Sequence, residues 1–342
     1  MTEEENPTTT TDPAELSAPQ SASPSSFSPA LLLSGTGLLL LTLFGASVLA
    51  SSGTPEVQRT AAIKQAPAPP NYQTAFENIE LQAKAAYVYD VAHDRPLFSL
   101  NAETQLPLAS LTKVMTAIVA TESLSYDSVV AVDAEALRLE GDSGLYVDEE
   151  WRARDLLDFM LLVSSNDSAS ALASAAGAIA VTAEASEQPL NSRDAFIERM
   201  NQKAEEIGLT QTYFLNETGL DTSEDISGGY GSARDAARLL AYAIKNTPEA
   251  LDATAYPALA FTSLSNITHE VGNTNEIVGK IPGLIASKTG YTTLAGGNLV
   301  IAFDAGVNRP IIISVLGSSR DGRFSDVEKL IAAALTAINL EQ

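Results

Sequence analysis

The chain reads as an α+β protein, with an antiparallel sheet drawn from both ends of the folded region, helices flanking it and a mostly helical stretch inserted between. Three observations carry that reading. Early in the folded region, AAYVYDV (85–91) and PLFSL (96–100) are β-branched and aromatic runs joined by a polar turn at 93–95. Near the end, GGNLVIAFDA (296–305) and PIIISVLG (310–317) are apolar runs separated by Gly306 and Asn308, as antiparallel neighbours should be. Between them, apolar residues recur mainly at helical spacing. Strands from both ends then share one sheet, and the helices cover its faces.

Taken in order, residues 1–29 are rich in Thr, Ser, Pro and Glu. Such a segment buries too little apolar surface to offset its ordering entropy, so a disordered tail is expected. Residues 30–50, ALLLSGTGLLLLTLFGASVLA, carry no charge, and 21 residues at about 1.5 Å each roughly match a bilayer core. A transmembrane helix or signal anchor is expected there. VLA followed by Ser51, Ser52 and Gly53 also fits a signal cleavage site, but the length and the polar lead favour the anchor. The lead has no Lys or Arg while Arg59 and Lys64 follow, which opposes the positive-inside rule for an exported domain. Placing the domain outside the cytoplasm on a single-pass anchor therefore rests on the chemistry below. Residues 51–75, with APAPPNY, read as a linker, and 76–342 as one catalytic-size domain.

Within that domain, PLASLTKVMTAIVATESL sets Leu111, Val114, Met115, Ile118 and Val119 at i, i+3, i+4, i+7 and i+8, an amphipathic or largely buried helix approached by Pro107. DLLDFMLLV and DSASALASAAG are two further helices meeting at 164–167. The stripe Phe196, Ile197, Met200, Ala204, Ile207 ends at Gly208, a favoured residue past a helix C-terminus. Ser232, with Asp235 three residues on, caps a helix that turns Ala236, Leu239, Leu240 and Ala243 inward. PGLIAS is a strand leading into KTGYTTLAGG, and a closing helix begins near Ser325 with Val327, Leu330, Ile331, Leu335 and Ile338 at helical spacing.

Composition removes whole classes of function. A net charge of -23, from 20 basic and 43 acidic residues, opposes nucleic-acid binding, which needs basic patches against phosphate. No cysteine means no disulfide, no thiolate zinc site and no cysteine nucleophile. His93 and His269 lack metal-ligand spacing, so no metal or other cofactor is expected.

Three strings carry the chemistry: SLTK at 110–113, SSN at 164–166 and KTG at 288–290. Ser110 and Lys113 are three residues apart on one helical face, near the positive end of the helix dipole. A buried lysine loses its proton more readily and can serve as a base. Singly, each string has an ordinary explanation. Ser110 and Lys113 also suit a helix-start serine and a snorkelling lysine, SSN suits an N-cap, and KTG suits a hairpin end. Together they supply a nucleophile, a base, a polar loop and a strand-borne cation, which is enough for acyl transfer without histidine.

At this point PLASLTKVMTA, DLLDFMLLVSSNDSASALA, FIERMNQKAEEIGLTQTYFLNETGLD, SARDAARLL, SKTGYTTLAGGNLV and SVLGSSRDGRF, in that order, carry a resemblance. From about Lys84 onward the chain resembles the serine D-alanyl-D-alanine carboxypeptidases among the low-molecular-mass penicillin-binding proteins, peptidase family S11. The resemblance implies a β-lactamase/transpeptidase-like fold with an all-helical subdomain and a site between the two parts. It implies Ser110 as nucleophile, Lys113 as its base, Ser164 and Lys288 as a proton path to the leaving D-alanine, and Asn166 as holder of the substrate amide. The backbone N–H groups of Ser110 and Tyr291 would form the oxyanion hole, with Gly290 allowing close approach, and Thr289 and Arg323 would meet the terminal carboxylate. Its implied partners are peptidoglycan stem peptides ending in D-Ala-D-Ala, β-lactams as covalent inhibitors, and the membrane through the N-terminal helix. Departures are Ser165 where the family usually has glycine, VDEEW at 147–151 in place of a glycine-containing turn, an acidic insertion at 178–190, and no acidic residue before the KTG strand. A serine β-lactamase and a non-catalytic penicillin- or wall-binding protein are the alternatives. The first would need a faster route to deacylation than this loop provides in the commonest class.

Overall fold

A computed structural model of the protein describes residues 72–183, 191–306 and 308–341. The first hairpin forms as expected from β1 (Ala85–Asp90) and β2 (Arg95–Leu100). The two-residue β3 (Leu106–Pro107) then leads through a 3-10 turn, Ala109–Leu111, into α1 (Thr112–Ser123). A small hairpin, β4 (Val129–Val132) and β5 (Glu149–Arg152), precedes the helices α2 (Ala153–Val163), α3 (Asn166–Ala183) and α4 (Ser192–Ile207). Next come β6 (Tyr213–Phe214), β7 (Gly229–Gly231), α5 (Ala233–Asn246) and the hairpin β8 (Ala258–Thr262) and β9 (Thr268–Gly272). The chain closes with β10 (Leu284–Thr292), β11 (Gly296–Asp304), β12 (Pro310–Ser318) and α6 (Gly322–Asn339).

The main sheet has the order β10-β11-β12-β1-β2 with antiparallel pairings, so strands from the two ends do meet, at β12 and β1. Alternation then decides what covers each face. Leu299, Ile301 and Phe303 of β11 point into one core with Val327, Leu330, Ala334 and Ile338 of α6. Val300 and Ala302 point the other way, into a second core with α1, α2, α3 and α5. Trp151, fully buried, anchors that second core against Phe159 with ring centroids 5.4 Å apart. The fold is the mixed antiparallel sheet flanked by helices that the sequence led us to expect.

The helix ends follow local chemistry. Gly208 closes α4 at φ 79°, and the Ser232 side chain caps α5 by accepting from the Asp235 N–H. The Asp326 carboxylate accepts from the backbone N–H groups of Gln82 (3.1 Å) and Ala83 (2.9 Å) and from Ser318 Oγ (2.8 Å), tying α6 to the entry of β1.

Several expectations change. α6 begins three residues before Ser325, which brings Arg323 into its first turn. Four short pairings in the middle of the chain, β3 with β7, β6 with β7, β4 with β5 and β8 with β9, were not legible, because pieces of two to five residues carry little alternation. The transmembrane helix is corrected: among the described residues no helix is long and apolar enough to cross a membrane. The apolar run at 30–50 on which that expectation rested lies outside the described residues, as do the tail 1–29, the linker as far as 71 and the acidic insertion from 184 to 190.

Candidate active site

Ser110 sits in the 3-10 turn just ahead of α1 rather than within the α-helix, and the geometry there is strained. Ala109 has φ 49°, in the left-handed region that costs a non-glycine residue about 1–3 kcal/mol. Close packing holds it. A Cβ at Gly219, itself at φ 79°, would stand 1.9 Å from the Ala109 carbonyl oxygen, so only glycine lets that backbone press the turn into place. Asn298 Nδ2 also donates to the carbonyls of Pro107 (2.9 Å) and Leu108 (3.0 Å).

Lys113 is fully buried, and its Nζ donates to Ser110 Oγ (3.0 Å), Asn166 Oδ1 (2.6 Å) and the Thr218 carbonyl (2.8 Å). Burial lowers its pKa from 10.5 to about 7, against the opposing charges of Glu217 and Asp167. Near neutral pH a large share of Lys113 is therefore an unprotonated amine 3.0 Å from the Ser110 hydroxyl.

The SSN junction divides its labour. Ser164 ends α2 at φ 63°, and its Oγ accepts from Lys288 Nζ at 2.8 Å. Asn166 opens α3; its Nδ2 donates to the Glu140 carbonyl at 2.6 Å, which turns Oδ1 toward Lys113. The middle residue does the capping: Ser165 Oγ accepts from the Ser168 N–H (3.0 Å) and pairs with Ser143 Oγ (2.8 Å). Capping thus falls to Ser165, which has a local reason to be serine, while Ser164 and Asn166 face the two lysines. Asp167 behind it is buried, accepts from Ser143 Oγ at 2.5 Å and has its pKa raised by that burial.

KTG lies inside β10, not at its edge. Lys288 is buried, and burial, followed by the charges of Lys113 and Arg323, holds its pKa well below the usual lysine value. Thr289 Oγ1 pairs with Thr274 Oγ1 at 2.7 Å. A Cβ at Gly290 would stand 3.0 Å from the Leu108 carbonyl and 3.2 Å from the Ser110 nitrogen, so this strand passes directly against the nucleophile turn. Arg323 Nη1 donates to the Gly290 carbonyl at 2.7 Å, and Tyr291 is half exposed at the rim. Asp221 anchors the end of the strand through Thr292 Oγ1 (2.9 Å) and the Leu294 N–H (3.3 Å).

The residues expected from the sequence thus fall into one connected cluster, beside a trough of about 410 Å³ lined in part by Ser164, Asn166, Asp142 and Glu270. Reading the sequence missed Ala109, Gly219, Asn298, the Thr218 carbonyl and Glu217. All five lie inside the strings quoted above, but nothing in those strings singles them out. His93 and His269 pair with Asp90 and Glu149, both at 2.9 Å or less, and among the described residues no group of side chains is arranged to hold a metal ion. Chemically, the cluster offers a hydroxyl beside a buried lysine, a second buried lysine on a serine, and a guanidinium on the Gly290 carbonyl. These are the parts of a serine acyl-transfer site.

Comparison with known proteins agrees. The family model described as D-alanyl-D-alanine carboxypeptidase, peptidase S11, matches residues 71–320. The chain is 31% identical over 241 residues to the D-alanyl-D-alanine carboxypeptidase DacB2 of Mycobacterium tuberculosis, covering 70% of this chain and 77% of that one. It is 29% identical to a D-alanyl-D-alanine endopeptidase of Pseudomonas aeruginosa over 265 residues, 73% of this chain and 76% of that one. In three dimensions it matches Penicillin-Binding Protein D2 of Listeria monocytogenes, solved in an ampicillin-bound form, with a TM-score of 0.60 and 28% identity over 75% of this chain and 98% of that one. The shared strings, the sheet and helices, and this agreement lead to one conclusion: the chain belongs to the S11 family of serine D-alanyl-D-alanine carboxypeptidases.

Proposed function

We propose that this cell-wall-associated enzyme removes the terminal D-alanine from peptidoglycan stem peptides ending in D-Ala-D-Ala, through an acyl-enzyme on Ser110. The observation that carries the proposal is the fully buried Lys113, its Nζ 3.0 Å from Ser110 Oγ and its pKa lowered to about 7. Lys113 takes the Ser110 hydroxyl proton as Oγ attacks the penultimate D-alanine carbonyl carbon. The oxyanion is met by the backbone N–H groups of Ser110 and Tyr291, where each donor is typically worth a few kcal/mol, about 3. Collapse breaks the C–N bond, and the proton that Lys113 took passes by way of Ser164, which Lys288 contacts at 2.8 Å, to the departing amine, so that Lys113 is unprotonated again. Water then hydrolyses the ester with Lys113 as base again. Asn166 orients both Lys113 and the substrate amide, Gly290 lets the strand approach, and Thr289 with Arg323 receives the terminal carboxylate.

A β-lactam carries its scissile amide in a ring, so opening it on Ser110 leaves no fragment to depart, and the ester persists. The domain assigned to this chemistry is 76–342, working on the outer side of the cell membrane where its substrate lies.

The test is release of free D-alanine from a diacyl-D-Ala-D-Ala peptide by the purified protein and by Ser110→Ala. Release by the first and none by the second supports the proposal. Equal release by both, or none by a folded wild type, refutes it.

A further inference from the structure

Beside the carboxylate site lies a second arginine that the proposed mechanism does not use. Tyr291 of β10 pairs across the sheet with Gly297 of β11. A Cβ at Gly297 would stand 2.1 Å from the Ser319 carbonyl and 3.2 Å from the Arg320 Cα, so the absent side chain lets the 319–320 segment lie flat against the strand. That packing brings the Arg320 guanidinium over the Tyr291 ring, 5.4 Å from its centroid, within cation–π range. Both side chains are exposed, and among the described residues Arg320 has no carboxylate partner, so its charge is held by a ring and not neutralised. Tyr291 follows Gly290, whose carbonyl accepts from Arg323. The two guanidiniums therefore flank the same end of β10.

Electrostatics gives this arrangement a purpose. Arg323 is buried with its Nε unpartnered, and its charge is felt by Arg320 and opposed by the nearby carboxylates Glu276 and Asp321. The whole chain carries -23, so an anionic peptide end is repelled by the protein as a whole and drawn to a place where two guanidiniums stand together. A substrate that ends at the residue after the scissile bond presents a carboxylate there. One that continues, as an endopeptidase substrate does, presents a neutral amide.

We infer that Arg320, held over Tyr291, is a specificity-determining residue that favours substrates with a free terminal carboxylate and so biases this site toward carboxypeptidase over endopeptidase action. The inference rests on the function proposed above.

It is tested with Arg320→Gln and Arg320→Lys in the full-length protein, measuring D-alanine release from a diacyl-D-Ala-D-Ala peptide at low and high ionic strength. Penicillin-labelling stoichiometry serves as the check that the site is intact. Arg320→Gln should lower kcat/KM about two- to fivefold at low salt, the range for one exposed charge, with the loss falling on KM, and should flatten the salt dependence. Arg320→Lys should keep most of the wild-type value. An unchanged KM and salt dependence in Arg320→Gln overturns the inference alone, as does Arg320→Lys losing as much as Arg320→Gln. A folded wild type that releases no D-alanine removes the function on which the inference stands.

Discussion

Burial of Lys113 makes the pH dependence of acylation a quantitative test. With a pKa of about 7 in place of 10.5, about half of Lys113 is unprotonated at pH 7, against roughly one part in 3,000 for a solvated lysine. Burial therefore raises the concentration of the base form on the order of 1,500-fold before any positioning is counted. Between pH 6 and pH 8 the unprotonated fraction climbs from roughly one-eleventh to ten-elevenths, about a tenfold rise. Stopped-flow acylation by a fluorescent penicillin should rise by that factor, with an apparent pKa near 7. Glu217→Gln supplies the sign. Its carboxylate favours the protonated amine, so removing the charge should move the rising limb to lower pH. A rate that is flat from pH 5 to 9, a limb near 10, or a limb that moves upward in Glu217→Gln would refute the reasoning.

Gly290→Ala places a Cβ 3.0 Å from the Leu108 carbonyl and 3.2 Å from the Ser110 nitrogen, so a few tenths of an ångström of displacement falls on the nucleophile. Acylation should drop about 10- to 100-fold while the urea midpoint moves little; a wild-type rate would mean the contact is slack. Asp326→Ala strips the acceptor from two backbone N–H groups and Ser318, and should cost about 2–4 kcal/mol in urea unfolding. A change below about 1 kcal/mol would show that water replaces the carboxylate. Stability itself should depend on pH through Lys113. Its folded pKa is depressed, so the unfolded chain binds more protons between about 7 and 10.5, and the stability present above 10.5 is lost as pH falls toward 7. Lys113→Met should flatten that slope in thermal melts, and an unchanged slope would place the titration elsewhere.

What the sequence made legible is what local patterning encodes. β1, β2, β11 and β12 each run six to nine residues rich in apolar and β-branched side chains, and α4 and α5 carry their own cap and stop residues. The motif side chains were legible because order and context added to their short strings. What stayed hidden depends on contacts across the chain. Nothing in an alanine announces φ 49° at Ala109, which Gly219 imposes from 110 residues away. Lys113 meets the Thr218 carbonyl across 105 positions, and Asn298 meets Leu108 across 190. Lysines are seldom fully buried, and nothing in the KTG string shows that β10 carries Lys288 into the interior. In VDEEW the glycine-like turn survives: Asp148 takes φ 60° itself, and Glu149 accepts from the Tyr146 N–H at 3.0 Å. The start of α6 was placed late because its apolar period begins at Val327, whereas Ser319 Oγ already accepts from the Gly322 N–H at 2.9 Å.

The central claim is that Ser110 is the nucleophile and forms an ester. Intact-mass spectrometry of the purified protein after brief incubation with benzylpenicillin, followed by peptide mapping, tests it most directly. The account predicts one penicilloyl adduct per chain, on the peptide containing Ser110, absent from Ser110→Ala and slow to form in Lys113→Ala. An adduct on another residue, or a folded wild-type protein that forms none, would contradict it.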